Sequence, residues 1–204
     1  MRVAVIGGGG GGGLGVSGGG AGCAASFIHK AMAIEYVIGR GGSFGPTGAS
    51  RGEDTVASFQ DRYLVGSGGD AKNGGAPYPL GGKGIGGDLN FIGGSGGPQL
   101  GGGGAAGPSG NGGGYGMLHE WLSTSWGVGG GKAGDDQAYG GQGPGEITVT
   151  TNQVFGYPGY FQNRSSPFSI SRLNYRSPGM GGGGQATGAK GGDGGMVVEW
   201  FIKD

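Results

Sequence analysis

The chain has 204 residues, of which 63 are glycine and 9 are proline, so these two types make up about a third of it, far above ordinary usage. Only 34% of residues are apolar, which leaves material for scattered short core segments at best. The 13 basic and 13 acidic residues balance, with no run of either sign, and this excludes the clustered Lys and Arg of a nucleic-acid footprint.

The first predicted element is a strand, Val3-Ala4-Val5-Ile6, β-branched and ended by glycine. Running into Gly7 to Gly13, it has the look of the opening strand and glycine loop of a dinucleotide-binding fold, and Glu35 stands where an acid would hold a ribose hydroxyl. That loop must open a helix. Gly13 is instead followed by Leu-Gly-Val-Ser-Gly-Gly-Gly-Ala-Gly, and each glycine costs about 1 kcal/mol relative to alanine in a helix. No series of βαβ units follows either, so the enzyme reading is set aside. Cys23, the single cysteine, lies between Gly22 and Ala24 and reads as a small buried residue; it excludes an intramolecular disulfide and a Cys-based zinc cluster. His29 and His119 stand alone, without a ligand pattern.

Further along, Phe27 to Ala33 has the length of a turn or two of helix, as does Leu118 to Leu122, and neither is long enough to stand alone. Ile34 to Ile38 reads as a strand that meets Gly39. A mixed segment runs from Thr55 to Val65. Glu146 to Thr151 alternates cleanly, the signal of a half-buried strand. Met196 to Ile202 is a closing apolar strand. Met1-Arg2 is followed by only four apolar residues before glycine, so no signal peptide is expected, and no stretch approaches a membrane span. The expectation is a soluble protein made in the cytosol, without membrane insertion, cofactor or metal.

Glycine tracts lie near 7–22, 39–52, 66–75, 81–87, 93–116, 127–145 and 179–195. Collagen needs glycine at every third position, and the runs Gly7 to Gly13 and Gly101 to Gly104 break that register. Flexible linkers are serine-rich, and these tracts are not; apolar strands also bracket them at both termini. A third option is an extended left-handed helix with three residues per turn, related to polyproline II, which has no internal hydrogen bonds. Its amides and carbonyls must pair with neighbouring helices, and only glycine lets backbones approach closely on every side. The fold expected is therefore one domain over 1–204, irregular and mainly β: a polyglycine-II-like helix sandwich with short strands at the termini and very little α-helix.

Three passages carry a resemblance to a known group of proteins. They are Val3-Ala-Val-Ile running into polyglycine, Ala33-Ile-Glu-Tyr-Val-Ile-Gly-Arg-Gly-Gly, and the ending Gly191-Gly-Asp-Gly-Gly-Met-Val-Val-Glu-Trp-Phe. In these the chain resembles the glycine-rich domain of bacteriophage tail and tail-fibre proteins, some of which are adhesins built as polyglycine-helix sandwiches with host-recognising loops at one tip. The resemblance spans the chain, motif-like at the termini and compositional between them. It implies a virion protein of the tail or tail-fibre tip that binds a host receptor and catalyses nothing. The implied partners are a bacterial surface polysaccharide or outer-membrane protein and other virion tail proteins; homotrimers are common among tail fibres, and single adhesin chains also cap trimers. Those adhesins carry a separate N-terminal mounting module, whereas here glycine begins at Gly7.

On a rigid scaffold, recognition falls to the non-glycine loops. One candidate segment holds Phe155, Tyr157, Tyr160 and Phe161 with Arg164 behind them; another runs from Tyr115 through Trp121 to Trp126. Tyr, Trp and Arg are enriched at binding hot spots, and aromatic rings stack on sugars. In a chain so poor in apolar residues, core packing is the first reading for Trp121, Trp126, Phe155 and Trp200. For Tyr157, Tyr160 and Phe161, beside Pro158 and Gly159, both readings stand. Asp135-Asp136 and Glu53-Asp54 read as solvated loop acids. A structural tail component that touches no receptor is the main competing function. An ice-binding face would need a regular repeat and, usually, disulfides, neither of which is present.

Overall fold

The computed structural model describes residues 1–13, 15–29, 32–44, 48–71, 78–97, 102–108, 110–114, 180–184 and 189–200. Among them the secondary structure is β-strand, with no helix. β1 (Arg2–Ile6), β2 (Cys23–Phe27), β7 (Leu89–Phe91) and β8 (Gly195–Glu199) form one sheet in the order β7-β2-β1-β8. β3 (Glu35–Val37), β4 (Thr55–Phe59), β5 (Arg62–Gly66) and β6 (Gly84–Ile85) form a second, in chain order. All the ladders are antiparallel. The sheets face each other through β1 and β2 against β4 and β5.

Alternation along β1 explains why this strand is central. Val3 and Val5 point into the gap between the sheets, where they meet Ala24, Ile28, Ala57, Phe59 and Leu64. Ala4 and Ile6 point the other way, onto Ala21, Cys23, Ala25, Ala105 and Ala106. This second cluster is built almost wholly of small side chains, because backbone from 102–107 lies directly over the sheet. Burial on both faces makes β1 a continuous apolar run.

The strands hand over directly to the glycine tracts, where the sheet ladder gives way to a different hydrogen-bonding pattern. Gly7, Gly10 and Gly13 donate to Gly22, Gly19 and Val16; Gly8 and Gly11 donate to Glu53 and Ser50; Gly9 and Gly12 donate to Gly192 and Ala189. The donor direction thus turns to a new neighbour at each residue and returns at every third. Carbonyls of Gly8, Gly9 and Gly10 accept from Gly69, Gly42 and Gly184. The tract 7–13 is bonded on all sides, to 16–22, 48–53, 189–194, 66–71, 39–44 and 180–184.

The tract 16–22 repeats the pattern. Ser17 and Gly20 donate to Gly97 and Gly94, Gly18 and Ala21 to Gly184 and Gly181, and Gly19 and Gly22 to Asp70 and Ser67. Its carbonyls accept from 7–13, from Gly82, and from Gly103 and Ala106. The outer tracts also bond to one another around the rim, as in Gly52 to Gly69, Gly191 to Gly42 and Gly93 to Gly82. Two neighbouring tracts, each with six partners and two of those shared, make a hexagonally packed array.

Several expectations meet the structure here. The strands expected at Val3–Ile6, Ile34–Ile38 and Met196–Ile202 appear as β1, β3 and β8, with residues 201–202 outside the described part. Strands are not confined to the termini: 55–66 is a hairpin, and β6 and β7 interrupt the glycine tracts near 84–91. Phe27, expected to open a helical turn, instead ends β2, and Gly7 to Gly13 continue β1 without a helix. The strand expected at Glu146–Thr151 and the helical turns at Leu118–Leu122 lie outside the described residues.

Candidate functional site

The antiparallel connections gather the tract ends opposite to the strands. Gly13 meets Val16, Ser43 meets Ser50, Ser17 meets Gly97, and Gly184 lies beside Gly10 and Gly18. The Ser43–Ser50 turn is further held by Ser43 N–H to Ser50 Oγ at 2.8 Å and by the two hydroxyls at 3.0 Å. Ser17, fully buried, ties its own tract to another one: its Oγ accepts from Gly97 N–H at 2.7 Å and donates to Gly97 O at 3.0 Å. The described tract ends here are joined by backbone and hydroxyl contacts.

Two large apolar side chains are open to solvent near this end. Phe44 is 57% exposed just past Ser43, and Leu80 is 58% exposed between Pro79 and Gly81. They lie on different flanks, separated by 48–53 and 66–71. Sequence reasoning passed over both. Their signal is an apolar residue at the end of a glycine tract beside proline or glycine, as in Ser43-Phe44-Gly45-Pro46 and Tyr78-Pro79-Leu80-Gly81.

Charge on the array's rim is locally neutralised. Arg51 reaches Asp54 at 2.7 Å and Asp70 at 3.6 Å. Lys190 reaches Asp193 at 2.8 Å, and Asp193 also accepts from Gly41 N–H at 2.8 Å. Burial opposes ionisation of the Asp193 carboxyl, but the Lys190 and Gly41 hydrogen bonds win and hold it below the usual carboxylate range. Arg51 and Asp54, like Lys190 and Asp193, are three residues apart. That spacing brings successive side chains back to the outward face of a tract whose hydrogen-bonding direction repeats every third residue.

At the opposite end, Asp88 joins the two sheets. Its carboxylate accepts from Phe27 N–H at 3.0 Å and from Arg62 at 2.7 Å, while Ser26 Oγ takes Arg62 and Asp88 N–H. Arg2 pairs with Glu199 and donates to Pro108 O, fastening the first strand to the last. The Cys23 thiol, pushed up to about 12 by burial, is a packed core atom with no thiolate to offer near neutral pH.

The sequence-predicted contact residues Tyr115, Trp121, Trp126, Tyr157, Tyr160, Phe161 and Arg164 all lie outside the described part of the chain, as do Phe155, Asp135 and Asp136. Of the described residues that flank this segment, Gly114 lies beside Gly94 and Ser95, and Met180 lies beside Gly195. Trp200, expected in the core, is 68% exposed. Glu53 and Asp54, read as solvated acids, are exposed yet bonded, Glu53 accepting from Arg40 N–H and Asp54 from Arg51 and Gly68 N–H. Among the described residues no three His, Cys, Asp or Glu come together as a metal group, and no helix is long and apolar enough to cross a membrane. Neither a protein-family model nor a curated protein matches this sequence.

Proposed function

We propose that this chain is a virion protein of the tail tip or tail fibre that attaches a bacteriophage to a host-cell surface receptor, and that its glycine tracts are polyglycine-II helices packed as a sandwich. The threefold repeat of donor direction along 7–13 and 16–22 supports that conformation, because a helix with three residues per turn aims every third amide at the same neighbour. The resemblance of the termini and of Ala33 to Gly42 to phage tail proteins supplies the biological setting.

One observation carries the receptor reading. Many chain reversals are collected at one end of a frame whose backbone groups are bonded in all directions, the arrangement in which loops can vary while their anchors stay fixed. The ligand is a bacterial surface polysaccharide or an outer-membrane protein, held by aromatic and Arg side chains, with Tyr157, Tyr160, Phe161, Arg164, Tyr115, Trp121 and Trp126 as the contact set and no catalytic step. Other virion tail proteins hold the domain in place.

Adsorption competition tests the reading. Purified protein added to host cells should block phage binding, and the triple change Tyr157→Ala, Tyr160→Ala, Phe161→Ala should abolish that block while leaving the fold intact by circular dichroism. Failure of the folded protein to bind cells at any concentration would leave it as a tail scaffold.

A further inference from the structure

Asn111–Gly112 is a reactive pairing, because glycine puts no Cβ between the side-chain amide and the next main-chain nitrogen. It belongs to 110–114, a tract outside the ring around 7–13 and 16–22, entered by a turn in which Gly107 and Gly110 bond each other. Gly104 N–H donates to Gly113 O at 2.9 Å, and a Cβ on Gly94 would overlap the same Gly113 carbonyl.

Ile92 holds both reacting groups of the pair. Its N–H donates to Asn111 Oδ1 at 2.9 Å, and its carbonyl accepts from Gly112 N–H at 2.9 Å. The two bonds act in opposite chemical directions. The Ile92 amide draws electrons from the Asn111 side-chain carbonyl and makes Cγ a better electrophile, as an oxyanion donor does. The Gly112 nitrogen attacks only after losing its proton, and that proton faces a carbonyl oxygen instead of water. A polarised Cγ without a nucleophile does not react, so the second bond decides. Asn111 is exposed and Gly112 half-buried, so burial of the side chain is not what protects it.

We propose that Asn111 is a modification site: a deamidation site that stays closed while 110–114 is docked and reacts once the tract leaves Ile92. The co-reactant is water. The freed Gly112 nitrogen bonds to Asn111 Cγ, the Cγ–Nδ2 bond breaks, and ammonia departs with the proton that the Gly112 nitrogen gave up. Nothing is oxidised or reduced. Water then opens the resulting succinimide at one of its two carbonyls, leaving either an aspartyl or an isoaspartyl linkage. The inference does not rest on the receptor reading.

The two products act differently on the array. An aspartyl side chain keeps an oxygen for the Ile92 amide and leaves the main chain unchanged. An isoaspartyl linkage runs the main chain through Cβ and adds one carbon to it, so amide directions beyond this position fall out of step with the neighbouring tracts. Gly112 and Gly113 cannot then both regain Ile92 and Gly104, and the close approach at Gly94 leaves no room to absorb the slip. Undocking becomes one-way. Asp193–Gly194, a comparable pair, is tied more fully: Gly194 N–H donates to Gly39 O at 2.8 Å, while Asp193 Oδ1 accepts from Gly41 and Lys190. Its tract also bonds to 7–13, 39–44 and 180–184, which makes Asn111 the site that opens first.

The full chain is incubated at mildly alkaline pH, both folded and in guanidinium chloride, and Asn111 is followed by peptide mapping with mass spectrometry. Mapping separates it from Asn73–Gly74, another such pair, which lies outside the described residues. Deamidation at Asn111 should be about tenfold or more slower in the folded chain, by the same factor that hydrogen exchange gives for protection of the Gly112 amide. The isoaspartyl fraction, returned to native buffer, should show that amide exchanging freely, whereas Asn111→Asp should keep it protected. Equal rates in the folded and unfolded chain, slow deamidation beside a freely exchanging Gly112 amide, an isoaspartyl chain with that amide protected, or a folded Asn111→Asp chain without protection would each overturn the proposal. If Asn111→Asp does not fold, the wild-type rates and exchange decide alone.

Discussion

The two ends of this molecule are held together by opposite means. At the strand end, side chains do the packing: Val3, Val5, Phe59 and Leu64 fill the space between sheets about as apolar residues fill any core. At the glycine end there are almost no side chains to pack, and backbone groups of adjacent tracts bond directly in all directions. A side-chain core can relax around a change of volume, because neighbours shift rotamers into the gap. A lattice of backbones has no such slack, so the end that looks simplest in sequence is the less tolerant one.

The sharpest break of that contrast is the addition of one methyl group. A Cβ on Gly9 would overlap the Gly182 carbonyl, and one on Gly18 would overlap the Gly10 carbonyl; both obstacles are backbone held by other tracts. Gly9→Ala or Gly18→Ala should therefore cost about 4 kcal/mol or more, beyond ordinary overpacking, and abolish cooperative unfolding in urea. Leu64→Ala removes far more matter, from a fully buried site between the sheets, and should cost about 3 kcal/mol with the transition preserved. Reversal of this order would mean that the glycine lattice yields more readily than the core.

Much of this division was legible in the sequence. β1 and β3 lead into glycine and β8 follows it, and they were expected where they occur. The need for backbone pairing followed from Gly7 to Gly13 alone, since a run of that length has no other way to be buried. What stayed hidden were β2 and the hairpin from Thr55 to Gly66. Cys23-Ala-Ala-Ser-Phe27 has no periodic apolar signal, because both of its faces are packed with small residues, Cys23 and Ala25 with Ala105 and Ala106 and Ala24 between the sheets. In β4, Ser58 breaks the apolar run, and Gln60-Asp61 is a poor turn signature, although Gln60 adopts a φ of 53°. The rim carried a legible code that went unread. Lys190 and Asp193 stand three apart as the exposed positions of a tract whose residues 189, 191 and 192 are buried, and Arg51 and Asp54 share that spacing on a tract exposed at more of its positions. The aromatic contact set was chosen from residue chemistry alone, and none of it falls in the described residues.

A milder probe separates the ends by pH. Asp88 is held below the usual carboxylate range mainly by the Phe27 amide and then by Arg62, and this tie belongs to the strand end. A group whose pKa is depressed on folding contributes stability above its unfolded value, near 4, and loses it as pH falls through the folded one. Melting temperature should thus drop on acidification below about pH 4, and Asp88→Asn should remove that part of the drop. Because the side chain is 38% exposed, the contribution is at most about 1 kcal/mol at neutral pH. Asp193 belongs to the array and titrates in the same direction, so a residual acid drop in Asp88→Asn is expected.

The smallest effects sharpen the comparison most, because they ask whether glycine content as such matters. Gly15 and Gly48 both lie at turns of the glycine end, and a Cβ on either would meet nothing within 4 Å. They differ in backbone. Gly15 has φ of 75°, where an L-residue is strained, and Gly15→Ala should cost about 1 kcal/mol. Gly48 has no such conformation, so Gly48→Ala should fall within about 0.5 kcal/mol of the wild type, with a slight gain from the stiffer unfolded chain. Denaturant midpoints of Gly9→Ala, Gly15→Ala and Gly48→Ala make one series in which the chemical change is constant. If all three fell equally, the instability would come from loss of glycine's own properties. A steep decline from Gly48 to Gly9 would instead locate it in the distance to the next backbone, which is the quantity that sets how closely these tracts pack.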